Sequence, residues 1–244
     1  MNRTDPALRG YALCGEARAG TTFLKELLAS TGRLGEPVEW FDPVWRARVG
    51  PTDDFIGAML ARTATPNSVY GLKIFSSHAK AAARHQWATR LPNLSFVHIR
   101  RDDLLGQAIS FARAAQTARF VSDQAERRAA GYDRRAIDSA LITLARGQAR
   151  WEIWFARHGI APLRVSYEQV IADPADTVAR IAALVGVEGA RIDLAQVTAQ
   201  RMSDDTSDEW RHRYRADAPS ADRLPGLTDR SPKAVTDALR TALR

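Results

Sequence analysis

The sequence is poor in cysteine and has no long apolar run. Cys14 is the only cysteine among 244 residues, so no disulfide can form within the chain, as is typical of proteins of the reducing cytosol. No apolar stretch approaches the ~20 residues that a transmembrane helix needs. The N-terminus lacks a basic segment followed by an apolar one, so no secretory signal is predicted. We therefore predict a cytoplasmic protein without a membrane span.

Acidic residues are outnumbered by basic ones, 28 against 35, which gives a formal net charge of +7. Most of the basic residues are arginines, and they are scattered along the chain. A surface for nucleic acid would use such charge, but neither zinc-finger spacing nor an RNA-recognition motif is present. Arginine also binds anionic groups through two parallel hydrogen bonds. The composition favours a pocket for a polyanionic small molecule. The alternative is a non-enzymatic protein that binds nucleic acid or another anion, without turnover and with steep salt dependence.

Apolar strand candidates alternate with helical patterns along the chain. Strands are predicted at residues 11–14, 69–75, 94–99 and 162–165. Helices are predicted at residues 53–63, 79–90 and 137–157, and residues 32–51 are predicted to form turns. This alternation predicts an α/β fold with an open, doubly wound, mainly parallel sheet flanked by helices. The length suits one domain over residues 1–244, with a polar segment at 121–135.

The segment at residues 15–22, with the sequence GEARAGTT, lies between the first strand and the next helix. Gly15 and Gly20 have the spacing of the nucleotide-triphosphate loop G-x-x-x-x-G-K-[ST], but Thr21 stands in place of its lysine. A P-loop-type kinase or hydrolase, which needs that lysine for the β- and γ-phosphates, is therefore the disfavoured enzymatic alternative. What remains is a P-loop-like phosphate cradle with Arg18 and the hydroxyls of Thr21 and Thr22. Such a cradle suits a nucleotide that carries one phosphate–sulfate group.

Four segments in the same order resemble the sulfotransferases that use 3′-phosphoadenosine-5′-phosphosulfate (PAPS), and among these the bacterial trehalose 2-sulfotransferase family. They are GEARAGTT at 15–22, GEPVEWF at 35–41, RRD at 100–102 with QAIS at 107–110, and SDEW at 207–210 with RYR at 213–215. The resemblance implies transfer of a sulfuryl group to a hydroxyl of a small carbohydrate or related metabolite. It also implies a homodimer. No metal is expected, because arginine and backbone N–H groups would handle the leaving group.

The resemblance also implies which residues hold the nucleotide. The 5′-phosphosulfate would bind the loop through Arg18, Ala19, Gly20, Thr21 and Thr22. The 3′-phosphate would bind Arg100 or Arg101, at the end of a strand, and Ser110 on the following helix. A C-terminal segment at about 200–230 would fold over the nucleotide and would contribute Arg201. Trp210 would either pack against the adenine or fill the core.

A hydroxyl acceptor loses a proton as it attacks, so the enzyme needs a general base. Many sulfotransferases place a histidine two residues after a strand lysine, but here Phe75 follows Lys73 at that distance. In the trehalose family the base is the second glutamate of G-E-P-x-E, which corresponds to Glu39, and His78 is the alternative. Lys73 would stabilise charge on the transferring group. Two further residues of the segment are expected to contact the acceptor, Glu36 and Trp40. Residues 42–68 are fewer than expected for a trehalose enzyme, so the acceptor's identity stays open.

Overall fold

The computed structural model describes residues 7–117, 129–199 and 205–217. Within these ranges four parallel strands form one sheet in the order β2-β1-β3-β4. The strands are β1 (Arg9–Gly15), β2 (Val69–Phe75), β3 (Leu94–Arg100) and β4 (Leu163–Ser166). The predicted bounds of β2 are confirmed, and those of the other strands differ by one or two residues at an end. The α/β class with a parallel sheet flanked by helices is confirmed.

Helices connect the strands and flank the sheet. In chain order they are α1 (Thr21–Ser30), α2 (Pro43–Val49), α3 (Phe55–Thr63), α4 (Ala79–Arg84), α5 (Trp87–Arg90), α6 (Leu104–Thr117), α7 (Arg134–His158), α8 (Tyr167–Ala172), α9 (Pro174–Leu184) and α10 (Asp205–Ala216). Two 3₁₀ turns cover Ser76–His78 and Leu194–Gln196. None of the helices in the described ranges combines the length and apolar character needed to cross a membrane.

Both faces of the sheet are covered, as alternate residues of the central strand β1 show. Tyr11 and Leu13 pack on one face with α1 and α9. Ala12 and Cys14 pack on the other face with α3 and α7. Such burial on both faces explains why β1 reads as a continuous apolar run. The chain passes from β2 across β1 to β3, so the carboxyl end of β1 lies where the strand order reverses. Open α/β sheets bind their ligands at this position.

Two stretches of the chain differ from the prediction. Residues 43–49 form α2 instead of turns, because the Asp42 side chain accepts a hydrogen bond from the Val44 N–H and proline occupies the first helical position. The single helix predicted at 79–90 is wrong, since Gln86 adopts a positive φ of 49° and separates α4 from α5. In the polar segment predicted at 121–135, residues 121–128 lie outside the described residues, and α7 begins at Arg134.

Candidate active site

The loop between β1 and α1 presents an uncapped helix N-terminus. Gly20 precedes α1 with a φ of +80°, and no side chain caps the helix. A Cβ atom on Gly20 would lie 2.4 Å from Cδ2 of Tyr167, so only glycine fits there. The first turn of α1 contains no acidic residue. The first N–H groups of a helix have no partner within the helix and carry its positive dipole end, so this geometry suits an anion.

Arg18 connects the loop to α6. It adopts a φ of +65°, and its Nε donates a hydrogen bond to the Ser110 hydroxyl at 2.9 Å. One turn earlier on α6, the buried Gln107 donates from its amide to the Ala17 carbonyl at 2.8 Å. The family resemblance assigns Arg18 to the 5′-phosphosulfate and Ser110 to the 3′-phosphate. Because these two side chains are in direct contact, the two predicted anion sites lie next to each other.

The two arginines at the end of β3 have different surroundings. The Arg100 side chain is 53% exposed and lies 3.3 Å from Asp102. The Arg101 side chain is 15% exposed, and its guanidinium lies 4.9 Å from the ring centroid of Tyr167, the ring that packs on Gly20. Its buried Nε has no hydrogen-bond partner among the described residues. Arg101 is therefore the arginine that faces the loop side of the sheet, and it has an unused donor.

Helix α10 is attached to the same sheet edge. Arg211 donates to both carboxylate oxygens of Asp103, at 2.9 and 2.6 Å, and these bonds lower the pKa of Asp103 to about 2. Trp210 is 3% exposed and packs between α6 and α7, with the Tyr132 ring edge-on at 5.9 Å. Of the two roles that the sequence left open for Trp210, the structure has it filling the core, and no face of its ring is free for adenine. Arg201, like most of the predicted segment at 200–230, lies outside the described residues.

Glu39 and Lys73 form an ion pair, with 2.7 Å between Oε1 and Nζ. The backbone brings them together, because Val38 forms a parallel bridge with Leu72 and its carbonyl accepts the Lys73 N–H at 2.9 Å. Lys73 is almost completely buried, which lowers its pKa, and the carboxylate of Glu39 opposes that shift. Leu13, the register partner of Lys73 in β1, packs against α1, so the lysine lies on the α1 face of the sheet.

Two more titratable groups lie beside this pair. His78 Nε2 is 3.9 Å from a carboxylate oxygen of Asp42, and burial lowers the pKa of His78. The Phe75 N–H points at His78 Nδ1 over 3.5 Å. One donor atom each from Glu39, Asp42 and His78 lie within 4.8 Å of one another, a grouping that can bind a metal ion.

The two residues predicted to contact the acceptor occupy different environments. Glu36 is exposed and lies 3.6 Å from the ammonium group of Lys25 on α1. Trp40 is buried in the core below the segment and packs edge-on against Trp45, with 5.9 Å between the ring centroids. Trp40 therefore supports the segment from beneath, and the half-buried Trp45 is the ring nearer to solvent.

Sequence reasoning missed Glu16, which lies buried at the base of the loop. Its carboxylate accepts the Ser76 N–H at 3.2 Å and its carbonyl accepts the Ala19 N–H at 3.3 Å. Burial raises the pKa of Glu16. The only signal in the sequence was an acidic residue placed directly after a buried strand. Glu16 connects the loop to the end of β2, so it positions both halves of the site.

Gly147 makes room for the Glu16 carboxyl group. A Cβ atom at Gly147 would lie 2.3 Å from the carboxyl carbon. Glycine to alanine inside a helix normally stabilises by about 0.5–1 kcal/mol. We expect Gly147→Ala instead to lower the free energy of unfolding by about 1–3 kcal/mol, because the methyl group displaces Glu16. Urea denaturation measures the change. Gly131→Ala is the control, since no atom lies within 4 Å of its added methyl. A Gly147→Ala protein as stable as wild type would contradict the expected collision.

Comparisons with known proteins identify the family of the chain. The family model described as Stf0 sulphotransferase matches residues 10–217. The chain is 29% identical to the trehalose 2-sulfotransferase of Mycobacterium tuberculosis (strain ATCC 35801 / TMC 107 / Erdman), over 87% of this chain and 97% of the relative. It is 27% identical to that of Mycolicibacterium smegmatis, over 88% and 97%. A crystal structure of a sulfotransferase from Alicyclobacillus acidocaldarius is similar with a TM-score of 0.48 and 15% identity, over 86% of this chain and 93% of that one.

The chain therefore belongs to the Stf0 sulphotransferase family. It is a PAPS-dependent sulfotransferase, related to the trehalose 2-sulfotransferases. The alternatives left open by the sequence, a P-loop-type kinase or hydrolase and a non-enzymatic anion-binding protein, are set aside by this membership.

Proposed function

We propose that the enzyme transfers the sulfuryl group of PAPS to a hydroxyl of a small carbohydrate or related metabolite, with Glu39 as the general base. The observation that carries this proposal is the 2.7 Å contact between Glu39 and Lys73 on the α1 face of the sheet, beside the loop. The names of the two curated relatives, which state trehalose as their substrate, support a sugar acceptor.

The residues present suit PAPS on the donor side. The uncapped N–H groups of α1 and the Arg18 guanidinium would bind the 5′-phosphosulfate, together with Thr21 and Thr22. The unused donor of Arg101 and the hydroxyl of Ser110 would bind the 3′-phosphate. PAPS supplies a sulfuryl group attached to a phosphate oxygen. Arg18 would stabilise the charge that this phosphate gains as the bond to sulfur breaks.

Glu39 is the better base of the two candidates. As the acceptor oxygen bonds to sulfur, its proton would pass to the Glu39 carboxylate, which Lys73 orients. A neutral His78 whose Nδ1 accepts the Phe75 N–H carries its proton on Nε2. That nitrogen then faces Asp42 as a donor and has no free lone pair for a substrate proton.

Three finer features are also part of the proposal. The reaction needs no metal. A metal ion bound by Glu39, Asp42 and His78 would have to share the Glu39 carboxylate with Lys73, which already supplies a positive charge there. The enzyme is a homodimer, as the family resemblance implies, and it acts in the cytoplasm, as its single cysteine led us to expect. Sedimentation equilibrium of the purified full chain would measure the mass of the assembly.

Calorimetry with adenosine 3′,5′-bisphosphate tests the nucleotide assignment. We expect it to bind at least about tenfold more tightly than AMP, because each charge-assisted hydrogen bond to the 3′-phosphate contributes ~1.5–3 kcal/mol. Arg101→Gln should remove most of this difference. Arg100→Gln, the matched control one residue away on the exposed side, should preserve it. Equal affinities of the wild-type protein for the two nucleotides would exclude the proposed 3′-phosphate site.

A further inference from the structure

The backbone at Arg18 adopts the left-handed conformation, with a φ of +65°. This region suits glycine and is uncommon for a residue with a long side chain. Such a residue stays there only when its surroundings hold it, and residues of this kind concentrate at functional sites. Arg18 is also the residue that we assign to the phosphate next to the transferred sulfuryl group. The contacts that hold its backbone are therefore part of what aligns its guanidinium.

Both peptide groups that flank Arg18 are held by hydrogen bonds. The carbonyl of the peptide group before it, on Ala17, accepts the side-chain amide of Gln107 at 2.8 Å. The N–H of the peptide group after it, on Ala19, donates to the Glu16 carbonyl at 3.3 Å. Because peptide groups are planar, the orientation of the first group sets φ of Arg18 and that of the second sets ψ. Gln107 therefore restrains φ of Arg18 from outside the loop.

Helix α6 holds Arg18 at two points, the main chain and the side chain. Gln107 bonds to the peptide group before Arg18, and the Ser110 hydroxyl accepts the Nε–H of Arg18 at 2.9 Å. The two α6 residues are three apart, so they lie on the same face of the helix. Apolar residues of α6 pack against α7 in one buried cluster. A packed helix, and not the loop alone, thus sets the position of Arg18.

The burial of Gln107 shows what its amide contributes. The residue is 0% exposed, and its Oε1 has no hydrogen-bond partner among the described residues. Its Nε2 must face the Ala17 carbonyl, since an oxygen there would have no hydrogen to donate. A buried unpaired oxygen is unfavourable, and methionine or leucine would fill a similar volume without one. The hydrogen bond to the loop is therefore the feature that a purely apolar side chain at this position would lack.

We propose that Gln107 is a positioning residue for sulfuryl transfer and that it acts through Arg18. By fixing the peptide group before Arg18, it keeps the guanidinium aligned with the oxygen on which charge grows as the bond to sulfur breaks. The flexible arginine side chain can still reach the phosphate of a bound nucleotide when its backbone is less restrained, so loss of Gln107 should reduce turnover more than binding. This inference rests on the proposed function, which assigns Arg18 to PAPS.

Two substitutions of Gln107 in the full-length enzyme test the inference. Gln107→Met keeps a similar volume without the donor, and Gln107→Asn keeps the amide but is too short to reach the Ala17 carbonyl. We expect both to lower kcat by about 10–100-fold, while the affinity for adenosine 3′,5′-bisphosphate changes less than about threefold. Release of this nucleotide from PAPS measures kcat, with trehalose as acceptor. Transfer to water, which has the same leaving group, serves where trehalose accepts no sulfuryl group. A loss in Gln107→Asn alone would indicate packing and overturn the inference.

A double-mutant cycle tests whether Gln107 acts through Arg18. In an Arg18→Ala background, Gln107→Met should lower kcat by no more than about twofold, because the group that it positions is gone. Losses that multiply in the double variant would overturn the inference, and so would wild-type kcat in Gln107→Met. Wild-type kinetics in Arg18→Ala would instead overturn the donor side of the proposed function and this inference with it. An impaired Arg18→Ala enzyme beside an unimpaired Gln107→Met enzyme would overturn the inference alone.

Gln116 provides a matched control on the same helix. Its side-chain oxygen accepts the Gly131 N–H at 2.9 Å, so Gln116→Met also removes one hydrogen bond to the backbone. It lies nine residues beyond Gln107, about 13 Å along the helix axis. We expect Gln116→Met to keep kcat within about twofold of the wild type. Urea denaturation of every variant ensures that kcat is compared between folded proteins.

Discussion

Replacing Glu39 by glutamine is expected to lower kcat by about 10²–10⁴ while the affinity for adenosine 3′,5′-bisphosphate stays near that of the wild type. The amide has the shape of the carboxylate but cannot take up the proton of the acceptor hydroxyl. For the same reason the acid limb of the pH–rate profile should disappear, because that limb reports protonation of the base. Steady-state kinetics with saturating PAPS, recorded across pH, would measure both effects.

Two controls keep this result interpretable. The Glu39→Gln substitution leaves the buried Lys73 without a charged partner, so the free energy of unfolding must be measured in parallel. The amide oxygen of the new side chain can still accept a hydrogen bond from the ammonium group, and we expect the variant to remain folded. His78→Ala should reduce kcat much less than Glu39→Gln. An active Glu39→Gln enzyme together with an inactive His78→Ala enzyme would show that the base has been misassigned.

Arg18→Ala is expected to reduce kcat by about 10²–10³ and also to weaken nucleotide binding, because it removes a donor aimed at charge that grows in the transition state. Arg18→Lys should recover only part of the activity, since an ammonium group cannot reproduce the two-pronged geometry of a guanidinium. Single-turnover kinetics and calorimetry would separate the two effects. Ser110→Ala, which removes the partner of Arg18 in the free protein, should affect binding more than turnover. Wild-type kinetics in Arg18→Ala would remove this residue from the mechanism.

The parts of the fold that were predicted correctly have strong local signals. Strand β2 is a short, buried apolar run between turn residues, and α7, predicted at 137–157, buries apolar residues at helical spacing. Helix α2 begins with an Asp-Pro signal, but it buries no residue and so lacks the apolar periodicity on which the helix predictions relied. The break at Gln86 has no local signal, because neither glycine nor proline stands there, although the backbone is left-handed and the next residue, Trp87, is buried.

The candidate site was predictable where it lies on one continuous segment. The loop at 15–22 and the segment at 35–41 could each be found from their own residues. The choice between Arg100 and Arg101 could not, because it depends on which face of β3 each side chain meets at the end of the strand. The burial of Glu16 depends on Gly147, which is far away in the chain but adjacent in the fold. Such long-range packing leaves no trace in local sequence.

The bridge between Val38 and Leu72 places the proposed base on the rim of the sheet. Strand β2 is an outer strand, and an outer strand with free N–H and C=O groups can recruit strands of other chains. The segment that carries Glu39 thus shields part of this rim as well as serving the reaction. A substitution that detaches this segment would lower turnover and would also promote self-association of the protein. Soluble yield and specific activity should therefore fall in parallel across variants of residues 35–41.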